Sequence, residues 1–176
     1  HSAFRGCENL ASIDIPQGIS EISFNTFEGC KNLKSVSLPF TVKNIDDYAF
    51  EDCVSLTDSQ IPQFVTEILR GSFKNCRSLT NIVLPSTLKK IGEKAFCGCN
   101  GFTEIVIPLS VEYVWDGAFS QCKNLKRVDL KDCKFGGGNG MFEDCDALEN
   151  VANLNLSVIS RGMFRNCKSL KHISLP

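Results

Sequence analysis

Histidine is nearly absent from this chain, with two among 176 residues, and tryptophan occurs once. His1 and His172 lie at opposite ends, and a Cys-His or Ser-His catalytic pair within the chain is not expected. No stretch of eighteen apolar residues could cross a membrane as a helix, and no charged-then-apolar leader opens the chain. Charge of one sign is lacking too: nineteen basic residues face twenty acidic ones, for a formal net charge of -1. Neither a nucleic-acid footprint nor a polybasic membrane segment is present. The sequence has no G-x-S-x-G elbow, no phosphate-binding loop and no H-E-x-x-H. These gaps leave no enzyme constellation, and the expectation is that the chain is not an enzyme and takes no cofactor and no metal. Asp46-Asp47 and Glu143-Asp144 read as solvated turn carboxylates rather than an acid/base pair.

What is abundant is repetition. Every 23 residues, one fewer in the last interval, the chain places a Phe, a Cys three positions later and an apolar residue three further on. The first column runs Phe4, Phe27, Phe50, Phe73, Phe96, Phe119, Phe142 and Phe164. The second runs Cys7, Cys30, Cys53, Cys76, Cys99, Cys122, Cys145 and Cys167, and the third is Leu throughout except for Phe102. A fixed period of this length marks a solenoid, in which each unit buries its apolar face only against its neighbours.

One coil gives the geometry. From Phe27 the inward residues are Cys30, Leu33, Val36, Leu38, Pro39, Val42 and Ile45, before Phe50 begins the next coil. The alternation Val36-x-Leu38 predicts a strand that the following proline terminates. All six prolines, at 16, 39, 62, 85, 108 and 176, fall in this column. The steps of three around Phe and Cys predict a corner made of a tight turn or a short 3-10 segment. The expected fold is therefore a parallel strand ladder of about seven and a half 23-residue repeats. The absence of a composition break predicts one domain over 1–176, and the absence of polar capping repeats predicts a fragment of a longer protein.

The pattern A-F-x-x-C-x-x-L-x-x-I-x-I-P resembles the BspA-like, Treponema-type leucine-rich repeats; it is seen as Ala95-Phe96 to Cys99, then Ile105-x-Ile107-Pro108, with Ile91-Gly92 ahead of the Phe. The resemblance covers essentially the whole chain. It implies a secreted or cell-surface protein, with adhesin-like members engaging host or extracellular-matrix proteins. Because a fold shared by many binders identifies no ligand, two alternatives stay open: a structural spacer, and a regulatory or sensing domain of a larger intracellular protein.

Candidate binding residues come from the outward columns. Val83 beside Val106, rimmed by Asp58, Glu104, Arg127 and Asp129, forms an apolar centre with a charged border. Leu69 and Trp115 occupy a second column in which Gly92 lies between them, and an exposed Trp is an efficient anchor. Phe40 and Leu109, just after strand prolines, are further exposed apolar positions. The column cysteines are expected to be buried free thiols with parallel Cβ vectors, unable to form disulfides. Cys97 and Cys133 lie off the column, and Cys97 is expected to point outward. The run Gly136 to Gly140 predicts a loosened repeat or a bend, or else an anion-binding nest, and Asn155-Leu156-Ser157 is a lone glycosylation sequon.

Overall fold

A computed structural model describes residues 1–57, 60–130, 136–154 and 159–173. Most coils contribute not one strand but two, and the second is invisible to the alternation rule because it is only two residues long; between β3 and β7 no first-face strand occurs among the described residues. On the first face lie β1 (Ser12–Asp14), β3 (Ser35–Ser37), β7 (Glu104–Val106), β9 (Arg127–Asp129), β11 (Asn150–Ala152) and β12 (His172–Ile173). On the second lie β2 (Glu21–Ile22), β4 (Asn44–Ile45), β5 (Glu67–Ile68), β6 (Lys90–Ile91), β8 (Tyr113–Val114) and β10 (Gly136–Gly137). Every pairing is parallel and joins equivalent positions of adjacent coils, such as Ile45 with Ile68 and Ile105 with Val128. In β2, β4, β5, β6 and β8 the aliphatic residue points inward, which closes the coil around a continuous apolar core.

The corner is a run of turns; no 3-10 segment occurs among the described residues. It forms a third line of coil-to-coil bonds. The Phe27 N–H donates to the Ala49 carbonyl, Phe50 to Ser72 and Phe73 to Ala95, all at 2.7–2.8 Å. Two positions in every corner are left-handed, one two residues before the Phe and one two residues after it. Asn75 and Asp144 fill the later position at φ near +60°, a conformation their short polar side chains tolerate. Inside, the Phe rings stack with centroids 5.1–5.8 Å apart and planes within 15°. Both faces of each internal ring are therefore covered by identical neighbours, which makes the column sensitive to any truncation.

The cysteine column is buried from Cys30 to Cys145, while Cys7 at the end of the stack is exposed. Its members do more than fill space. Each thiol donates to the carbonyl of the Phe in the preceding coil: Cys53 to Phe27, Cys76 to Phe50 and Cys99 to Phe73, at 3.1 Å in each case. A residue here must be small, apolar and able to donate one weak hydrogen bond, and cysteine meets all three conditions. Burial pushes the Cys53, Cys76, Cys99 and Cys122 thiols well up, and the half-buried Cys167 to about 12.

Two expectations need correction. Cys97 is buried, with 5% of its surface exposed. It lies in the corner, where alternation does not hold, in the same column as Lys74 and the buried Ser120, and close to the Lys74 ammonium. Residues Gly136 and Gly137 are not a loosened segment, since they extend the second ladder by pairing with Tyr113 and Val114. Glycine is required just beyond, because a Cβ at Gly138 would sit 2.2 Å from the Trp115 carbonyl carbon. Residues 131–135, with Cys133, and the sequon at 155–157 lie outside the described residues.

Candidate functional site

The second ladder runs without a break from β2 to β10, but the first is divided into β1–β3 and β12–β11–β9–β7. At one repeated position, just ahead of the first face, an N–H can donate to the preceding coil, and the length of that bond traces the division. It is 2.8 Å from Lys34 to Ala11, 3.1 Å from Thr57 to Lys34 and 3.5 Å from Thr80 to Thr57. Thr103 makes no such bond to Thr80, and Lys126 to Thr103 is again 2.8 Å. No backbone hydrogen bond joins 80–84 to 103–106. The ladder has opened between these two coils.

The opening is a cleft of about 360 Å³ whose lining includes Ile82, Val83, Glu104, Ile105, Val106 and Pro108. Val83 is 81% exposed and Val106 48%. Ile82 is only half-buried, although Val36, Ile105, Val128 and Val151 in the same column are buried. The cleft therefore reaches a core residue. On its far side Glu104 pairs with Arg127 at 3.4 Å, both largely exposed, and the Asp129 carboxylate accepts a hydrogen bond from the Asn153 amide at 2.7 Å. The structure thus gathers Val83, Glu104 and Val106 at one cleft, with Arg127 and Asp129 on the strand behind; Asp58 lies outside the described residues.

Trp115 and Leu69 belong elsewhere, on the second ladder. With Asp47, Arg70, Gly92 and Glu93 they line a separate cavity of about 180 Å³. Trp115 is 43% exposed and its ring lies 5.8 Å from that of Tyr113, two residues earlier on the same side of the strand. Gly92 between them is imposed by close stacking: a Cβ there would fall 2.5 Å from the Leu69 carbonyl carbon. Tyr113 was not among the sequence candidates, and its two-residue spacing from Trp115 was the available signal. A larger hollow of about 520 Å³ on the corner face is lined by charged residues that largely satisfy one another, Arg165 with Glu143 and Asn139 with Asp116. Among the described residues no group of His, Cys, Asp and Glu could hold a metal ion, and no helix is long and apolar enough to cross a membrane.

A parallel solenoid of 23-residue coils, with up to two short strands and a Phe-Cys corner per coil, defines a leucine-rich repeat scaffold. The BspA type leucine rich repeat region matches residues 1–126 and 66–176, and the chain belongs to that family. Among solved structures it is similar to a leucine-rich repeat protein from Bacteroides ovatus, with 34% identity, a TM-score of 0.87, and coverage of 94% of this chain and 45% of that one. It is also similar to the leucine-rich repeat protein of T. pallidum, with 33% identity, a TM-score of 0.84, and coverage of 92% and 78%. The pneumococcal vaccine antigen PcpA shares the fold at 18% identity and a TM-score of 0.52, over 83% of this chain and 31% of that one. No curated protein matches the chain. The chain spans less than half the length of the Bacteroides protein.

Proposed function

We propose that this chain is a protein-binding module displayed at a cell surface or secreted, which engages a host or extracellular-matrix protein through its first strand face. The leucine-rich repeat fold commonly serves protein–protein interaction, and the reading rests on one observation. Val83 and Val106 present adjacent apolar surface beside a cleft that exposes Ile82, with Glu104 and Arg127 supplying a charged rim. An apolar centre enclosed by polar residues is the anatomy of a protein interface. Trp115 and Tyr113, on the other ladder, offer a second anchor rather than an extension of the first.

The test is capture of purified extracellular-matrix and host-surface proteins by the parent chain, by Val83→Arg with Val106→Arg, and by Trp115→Ala. Each variant should retain the parent's melting behaviour, since the altered side chains are exposed. Capture lost only in the double valine variant supports the assignment. Capture lost only with Trp115→Ala moves the site to the second ladder, and capture of nothing by folded parent favours a spacer.

A further inference from the structure

The opened ladder carries more than an apolar patch, because it leaves backbone groups without partners inside the protein. On either side of β7 the Ile107 N–H donates to the Asp129 carbonyl at 2.8 Å, and the Thr103 carbonyl accepts from Arg127 at 3.3 Å. Alternate residues of a parallel strand bond to opposite sides. Glu104 and Val106 therefore aim their N–H and C=O groups toward 80–84, where no bond is made. This is a row of alternating donors and acceptors at strand spacing beside an apolar cleft.

The sequence offers a cause for the opening. Phe102 stands in the third column, where every other coil has Leu, and it is fully buried with its ring 6.0 Å from that of Phe96. The turn that carries it is the longest of its kind: its N–H lies 3.4 Å from the Cys99 carbonyl, against 3.0–3.2 Å for the Leu in the same role in the other coils. The ladder fails at the next residue, Thr103. Additional volume in a close-packed column is relieved by backbone displacement, and here the displacement falls between this coil and its predecessor.

Resting on the protein-binding reading above, we infer that the cleft takes an extended peptide segment of the partner. Its backbone bonds to the Glu104 and Val106 main chain while one apolar side chain enters against Ile82 and Ile105. The backbone row selects an extended chain because only another backbone in that conformation presents donors and acceptors at matching intervals, and the cleft selects the side chain that enters. A helix or a sugar satisfies neither requirement together.

Hydrogen exchange on the full chain tests the premise. The Val106 amide should exchange rapidly in the free protein and the Asp129 amide slowly; equal protection of the two overturns the inference. A displayed library of linear peptides, on the order of ten residues and so longer than the strand, then supplies the probe. Selected peptides should protect the Val106 amide and lose at least about tenfold in affinity for Val106→Pro, which removes an N–H that has no partner in the fold. They should lose as much for Phe102→Leu, which restores the column residue and leaves Val83 and Val106 in place. Melting curves of both variants separate misfolding from loss of the site. Retention of no peptide, or equal binding to parent and Phe102→Leu, overturns strand addition. If a protein captured by the parent is nevertheless lost with the double valine variant, the binding face stands and only this mode of docking falls.

Discussion

The thiol column makes the solenoid vulnerable to alkali rather than to acid. Cys53, Cys76, Cys99 and Cys122 have no exposed surface, and desolvation is the leading cause that raises each of their pKa values in the fold. In the unfolded chain the same thiols ionise near pH 8.5–9. Between that value and the raised folded value the native state binds more protons than the unfolded state, so stability falls as pH rises. At pH 10, roughly one unit above the unfolded pKa, each thiol costs about 1.4 kcal/mol, and four cost roughly 5–6 kcal/mol. The lysines in the ion pairs Lys74–Glu51 and Lys90–Glu67 have raised pKa values, so their contribution is lost only above the ordinary lysine value, beyond this window. Urea unfolding under reductant at pH 8 and pH 10 should therefore show a midpoint lower by about 2 M at the higher pH, taking a slope of about 2–3 kcal/mol per molar. Cys76→Ala and Cys99→Ala should each recover about a quarter of the loss. A midpoint that moves by less than about half a molar would mean that the thiols ionise inside the folded coil, and the burial argument would fail.

Phe73→Ala should cost about 3–5 kcal/mol, because the rings on either side cannot collapse into the gap without losing register; an unchanged melting temperature refutes it. Gly138→Ala should destabilise by about 1–3 kcal/mol, since its Cβ meets the Trp115 backbone rather than a movable side chain. Hydrogen exchange in that variant should rise first in β8 and β10 and only later in β2 and β4, as nearest-neighbour coupling requires; a uniform rise contradicts it. Arg127→Ala should change stability by less than about 1 kcal/mol, because the pair with Glu104 is largely exposed; a larger loss in thermal unfolding would show that Arg127 holds the cleft.

What the sequence disclosed follows from what a period can encode. Period and alternation identify inward positions, so the Phe, Cys and Leu columns, the proline stop and the parallel register were all legible. The second strand was not, because Asn44-Ile45 or Lys90-Ile91 is too short to show alternation and is set by the coil it closes. The outward placement of Cys97 failed because alternation was carried into a turn, where successive side chains do not take opposite faces. The left-handed corner positions left a faint trace in Gly6, Gly29, Asp52, Asn75, Gly98 and Asp144, obscured by Gln121 at the same place.

The cleft shows where regularity stops being informative and its violation begins to be. Val83 and Val106 were visible as apolar residues in polar columns, yet a valine on a strand is ordinary, and nothing in that pair implies an opening. The informative residue was Phe102, which hydrophobic patterning treats as equivalent to Leu. In a coil that repeats at strand spacing, the volume difference between the two cannot be absorbed locally, because the same column is filled above by Leu79 and below by Leu125. The strain has to leave along the stack, and it does so on the first face, between Thr80 and Thr103. The second ladder stays paired through Lys90 and Tyr113, so the coils part on one face only. That geometry exposes Ile82 and the edge of β7 without breaking the solenoid.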